Sequence, residues 1–123
     1  MLNYICNLNI SQYKNILFNI IKKEIIITNK QIEHINEKHP GVYEKYKNNL
    51  KDIIYSPDYI FKDNRENTYI FIKKYKHNIE LVLKLNTDIN SEYKNSIITM
   101  WEIKDKRLES YLKTRKVVYK RDN

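Results

Sequence analysis

Two histidines, His34 and His39, stand five residues apart, and each can exchange a proton near neutral pH. A pair of imidazoles on one wall of a site can act as general base and general acid. On a continuous helix five positions diverge in direction by about 140°, so a shared site needs the helix to end between them. Pro40 supplies that end, because it disfavours helical geometry at His39. A purely structural alternative has His34 packing on the helix face and His39 stabilising the helix C-terminus. Further along, Lys84 shares a strand face with Glu80 and Val82, opposite Leu81, Leu83 and Leu85, where an ammonium can meet a phosphate or simply face solvent. Thr99, in the middle of Asn95-Ser96-Ile97-Ile98-Thr99-Met100-Trp101, can donate a hydroxyl to a phosphate oxygen.

Other chemistries lack their residues. The histidine spacing is not the His-Glu-x-x-His of a zinc helix, Cys6 is the lone cysteine, and His77 falls in an expected turn. No metal site is expected. A single glycine, Gly41, cannot build the glycine-rich loops that nucleotide cofactors require, and no cofactor is expected. Ser11, Ser56, Ser91, Ser96 and Ser110 lack the glycine-flanked elbow of a serine hydrolase.

The elements that must position these groups belong to a 123-residue chain with 41% hydrophobic and 31% charged residues, a globular balance that suits a single domain over residues 1–123. Apolar runs such as residues 25–27 and 81–83 fall far short of the roughly 20 residues that span a bilayer. With no signal-peptide pattern and no disulfide, the cytoplasm of a producing or target cell is the expected compartment, without membrane contact.

The formal net charge is +8, and the stretch 104–121 holds most of it. There Lys104, Lys106, Arg107, Lys113, Arg115, Lys116, Lys120 and Arg121 face only Asp105 and Glu109. Interleaved with Tyr111 and Tyr119, this basic run suits a phosphate backbone, with rings available to stack bases. A solvated lysine-rich surface is the plain alternative.

Residues 4–10 alternate weakly and suit an edge strand, and the apolar spacing over 12–23 predicts a helix. Residues 24–27 are a short strand or a buried lead-in. Thr28 and Gln31 form a capping-box pattern that opens a helix to about Lys38. A second helix follows over 42–55 and stops before Ser56-Pro57-Asp58. The period then changes to two, predicting strands over 59–61, 67–74, 78–86 and 96–103, a short helix over 105–113 and a last strand over 116–119. Helices first and an antiparallel sheet second give an α+β domain.

Five segments in this order carry a resemblance. His34-Ile35 with Lys38-His39-Pro40, then Tyr55-Ser56-Pro57-Asp58-Tyr59-Ile60, Leu81-Val82-Leu83-Lys84-Leu85, Asn95-Ser96-Ile97-Ile98-Thr99, and Val117-Val118-Tyr119 resemble a phage-type nuclease group of the barnase–EndoU–colicin–RelE superfamily, over residues 24–120. The resemblance implies N-terminal helices packed on one face of a twisted antiparallel sheet of about four strands, whose open face holds the site. It also implies metal-independent endoribonuclease activity, often in toxins or in effectors of phages and mobile elements. His34, His39, Lys84 and Thr99 fall on the group's site positions, and Tyr119 on a terminal position that some relatives fill with another aromatic residue.

The residue types fit that chemistry independently. RNA carries its own nucleophile, the 2′-OH, so one histidine can take its proton while the other, or Tyr119, protonates the leaving 5′-oxygen. Lys84 and Arg115 would stabilise the charge on phosphorus, and Thr99 would orient a non-bridging oxygen. The expected partners are RNA, tRNA among the candidates, and an acidic antitoxin or immunity protein. A non-catalytic nucleic-acid-binding module and a protein-interaction or inhibitor protein are the alternative readings.

Overall fold

The computed structural model describes residues 2–8 and 22–121. In chain order its elements are β1 (Leu2–Asn7), β2 (Glu24–Thr28), α1 (Asn29–Lys38), α2 (Val42–Tyr46), a 3-10 turn (Lys47–Asn49), α3 (Leu50–Tyr55), β3 (Tyr59–Lys62), β4 (Thr68–Lys74), β5 (Asn78–Lys84), β6 (Asn95–Ile103), α4 (Asp105–Thr114) and β7 (Val117–Lys120). Most of the helix expected over 12–23 lies outside the described residues; Lys22 and Lys23, at its end, are not helical.

Local chemistry sets the helix limits. Thr28 Oγ1 accepts a hydrogen bond from the Gln31 amide (3.1 Å), and Gln31 Oε1 accepts one from the Thr28 amide (3.2 Å). This completes the capping box at the start of α1. At the other end His39 leaves the helix with φ −137° and ψ 70°, outside the helical region that the following proline disfavours. Gly41 then turns the chain at φ 84°, a left-handed conformation that costs glycine little, and α2 begins. The 42–55 stretch is helical throughout, tightened by the 3-10 turn at its middle.

Among the described residues, seven strands form one sheet in the order β1-β2-β6-β5-β4-β3-β7. The expected sheet of about four antiparallel strands is therefore too small. β2 lies parallel to β6, with Ile25 opposite Asn95 and Ile26 opposite Ser96, and the other pairs are antiparallel. Alternation along the strands sorts side chains between two layers. Leu81, Leu83, Phe71 and Ile60 join Ile35, Val42, Leu50, Ile53 and Ile54 of α1–α3 in one core. Ile35 is wholly buried there, a transfer that stabilises by roughly 1.5–3 kcal/mol.

The second face is not open along its whole length. Phe61, Ile70, Ile72 and Val82 pack there against Leu108 and Tyr111 of α4. Helices thus cover both faces, which corrects the expectation of helices on one side. The reason lies in α4 itself: Leu108 and Tyr111, three residues apart, give it an apolar stripe that must be buried. Among the described residues, no helix is long and apolar enough to cross a membrane.

Candidate active site

The candidate site gathers where the C-terminus of α1 meets β6. Helix α1 packs against β6, and the His39 imidazole stacks on the Trp101 indole with ring centroids 4.9 Å apart and planes 23° from parallel. Trp101 lies opposite Glu80 in the β5–β6 register, so both side chains share the face that α4 partly covers. The Trp101 Nε1–H donates to Glu80 Oε2 at 2.7 Å. Tyr111 Oη donates to the other carboxyl oxygen, also at 2.7 Å, and itself accepts from Arg107 Nε at 2.9 Å. The Arg107 guanidinium lies 4.5 Å from the Trp101 ring centroid. Glu80, only 4% exposed, is thus tied into a network that holds an indole, a phenol and a guanidinium in place.

The electrostatics of this corner favour a neutral imidazole. Burial lowers the proton affinity of His39 below the ordinary histidine value; the Glu80 charge opposes the shift, and the charges of Lys38 and His34 reinforce it. Burial and the hydrogen bond to Glu80 raise the Tyr111 phenol, against the pull of Arg107, and keep it a donor. Beside Trp101, a groove of about 520 Å³ runs between β6 and α4, lined by Lys104, Lys106, Arg107 and Ser110 among others. Among the described residues, no group of three or more His, Cys, Asp or Glu side chains could hold a metal ion.

The other residues singled out from sequence distribute unevenly. His34 is exposed on α1 and acts electrostatically on His39. Thr99 pairs with Val82 on the same face as Trp101, two residues away and half-buried. Lys84 closes that row of β5, four residues and about 13 Å of strand beyond Glu80. It is exposed beside a groove of about 270 Å³ shared with Asn67, Asn86, Lys94 and Ser96. Thr99 and Lys84 therefore lie along the β5–β6 pair whose Trp101 carries His39, with Lys84 at the far end.

Tyr119 is not brought to this site. It pairs with Ile60 and packs against the α1–α3 core, on the opposite face. Its strand lies four places from β6 in the sheet, about 19 Å away at the usual strand spacing. The basic stretch divides as well. Lys104, Lys106 and Arg107 border the Trp101 groove, and Lys113 is exposed on α4. Arg115 caps α4 within 3.4 Å of Asp63. Lys116 and Lys120 are exposed beside the β3 edge, and Arg121 pairs with Asp58 at 3.7 Å.

Sequence reasoning missed Glu80 and Trp101 as parts of the site. A signal for Glu80 existed: it is the acid in an otherwise apolar run, Ile79-Glu80-Leu81-Val82-Leu83, and a buried carboxyl needs partners. Those partners come from β6 and α4, and local pattern does not reveal them.

These features define a basic α+β domain in which an imidazole stacks on Trp101, a ring that also lines a groove with Lys104, Lys106 and Arg107. The chain belongs to the PBECR3 family, phage-Barnase-EndoU-ColicinE5/D-RelE like nuclease3, whose model matches residues 5–110. Membership of that family points to a nuclease. The matched span includes His34, His39, Glu80, Lys84, Thr99, Trp101 and Arg107, and it ends before Tyr111, Arg115 and Tyr119. No curated protein and no solved structure matches the chain significantly.

Proposed function

We propose that this nuclease-family domain is an endoribonuclease that needs no metal ion, cleaving by attack of the RNA 2′-OH on the adjacent phosphorus. The observation that carries the reading is His39, biased by burial toward its neutral form and stacked on Trp101, which itself lines a groove with Lys104, Lys106 and Arg107. A neutral imidazole at neutral pH is ready to accept the 2′ proton. His34, exposed on the same helix, is the matching acid for the 5′-oxygen leaving group. Charge building on the phosphorane is met by Lys104 and Lys106 of the Trp101 groove, and Thr99 and Lys84 continue the same face toward the next part of the strand. The products are a 2′,3′-cyclic phosphate and a 5′-hydroxyl.

The same reading makes the protein a toxin or an effector of a phage or mobile element, acting on cellular RNA such as tRNA in the cytoplasm. Its partner is then a small acidic antitoxin or immunity protein that covers the basic groove. Matched RNA and DNA strands incubated in EDTA test the reading. RNA alone is cut if the 2′-OH is the nucleophile, and equal cutting of DNA rules the mechanism out.

A further inference from the structure

Next to the Trp101 groove, and sharing Arg107 and Ser110 with it, lies a second cleft of about 360 Å³ whose lining includes Asn64, Tyr111, Thr114 and Arg115. Its two guanidinium groups are both fixed. Arg107 Cζ lies 5.4 Å and Arg115 Cζ 4.8 Å from the Tyr111 ring centroid, which places the two within about 10 Å of each other. Arg107 is further tied by its Nε to the Tyr111 oxygen, which in turn donates to buried Glu80. Arg115 is tied by its backbone amide to Tyr111 O at 2.9 Å and by its Nη1 to Asp63 Oδ1 at 3.4 Å. Asp63 is 9% exposed, and its other oxygen takes the Nε (2.7 Å) and amide (3.1 Å) of Arg65.

Arg115 is held by a buried carboxyl and Arg107 by a phenol that a second buried carboxyl anchors, so both guanidinium groups are pre-ordered, which lowers the ordering cost of gripping an anion. Guanidinium groups match phosphate oxygens in a bidentate way. With cations already over the Tyr111 ring, the phenol does not serve as a platform for a base. The cleft therefore suits the sugar–phosphate backbone rather than a nucleobase.

We propose that Arg107 and Arg115 form a phosphate-binding subsite that holds the RNA strand away from the scissile bond; this rests on the endoribonuclease reading. The contacts from His39 to Trp101 (4.9 Å), Trp101 to Arg107 (4.5 Å), Arg107 to Tyr111 (5.4 Å) and Tyr111 to Arg115 (4.8 Å) bound the separation of imidazole and outer guanidinium at about 20 Å. A strand of a few nucleotides is long enough to join two points within that bound. The subsite sets how long an RNA must be to bind well, and Arg115 lies beyond the span matched by the family.

Binding of a 2′-O-methyl oligoribonucleotide, followed by fluorescence anisotropy across a salt series, tests this without any cleavage. For single strands, each phosphate contact contributes about 0.7 to the slope of log K against log salt. The slope of Arg115→Gln is expected to be shallower than wild type by about that amount, and Arg107→Gln likewise. Arg115→Lys is expected to keep the slope and bind more weakly, since it keeps the charge and loses the fork. Lys30→Gln, at the exposed start of α1, is expected to match wild type. Thermal melts of each variant confirm that it is folded, and Arg107→Gln serves if Arg115→Gln is not. Wild-type slopes in both arginine variants would overturn the subsite, as would failure of the wild-type protein to bind the oligonucleotide. Inorganic phosphate that displaces the strand at equal phosphate concentration would make it a free-anion site instead and overturn the strand assignment. Cleavage of unmodified RNA decides the endoribonuclease reading separately.

Discussion

Replacing Glu80 probes the network behind the imidazole. In Glu80→Ala the Trp101 Nε1–H and the Tyr111 hydroxyl both lose the acceptors they meet at 2.7 Å. Each donor stranded without a partner costs about 1–3 kcal/mol, so the pair together costs about 2–6 kcal/mol. That is a large share of the roughly 5–15 kcal/mol that stabilises a typical domain. Glu80→Gln is gentler: its carbonyl accepts from one donor while its amide nitrogen faces the other, a loss of about 1.5–3 kcal/mol. Urea denaturation measures both losses, with the midpoint falling and the slope constant if the denatured state is unchanged. A second readout separates stability from the site's electrostatics. The Glu80 charge raises the proton affinity of His39, so in Glu80→Gln the His39 titration seen by NMR moves to lower pH. If Glu80→Ala costs less than about 1 kcal/mol, or if the His39 midpoint rises in Glu80→Gln, the network does not act as described.

Three other changes test separate parts of the account. Burial pushes the Asp63 carboxyl upward, but Arg65 and Arg115 outweigh it and hold the group below its ordinary value of 3.8. Its ionised form therefore contributes stability that is present above that value and is lost as pH falls through the lower folded one. Asp63→Asn should lower the melting temperature at pH 7 and flatten this acid loss in a melting series. Thr28→Ala removes the N-cap acceptor for the Gln31 amide and should cost about 0.5–2 kcal/mol in urea denaturation, with little effect on cleavage. Tyr119→Phe should leave the RNA cleavage rate within about twofold of wild type, because the phenol belongs to the opposite face; a loss of tenfold or more, about 1.4 kcal/mol, would restore it to the chemistry.

What was legible in the sequence follows the range of each interaction. The capping box, the stop at Pro40 and the two-residue period of β4 and β5 depend on neighbours a few residues away, and each appears where the pattern put it. The parallel pairing of β2 with β6 joins residues about 70 positions apart, and no local signal announces it. That pairing, with β1 and β7 at the two edges, enlarges the sheet from about four strands to seven. The site shows the same division. His39 is positioned by its own helix end and could be picked out from sequence. Glu80 acquires its role only when Trp101 arrives across the β5–β6 ladder and Tyr111 descends from α4. The placement of Tyr119 on the opposite face follows from the β3–β7 register, which shifts by one residue at Ile60/Phe61.

The central claim is that His39 takes part in metal-free cleavage through the 2′-OH. Its most direct test is one oligoribonucleotide incubated in EDTA with the wild-type protein and with His39→Ala, the product ends being read by mass spectrometry. The account predicts 2′,3′-cyclic phosphate ends from the wild type and a rate at least about 100-fold lower in the variant, the usual scale of a lost general base. Cleavage by His39→Ala at the wild-type rate, or intact RNA with both proteins across a range of cellular RNAs, would contradict it.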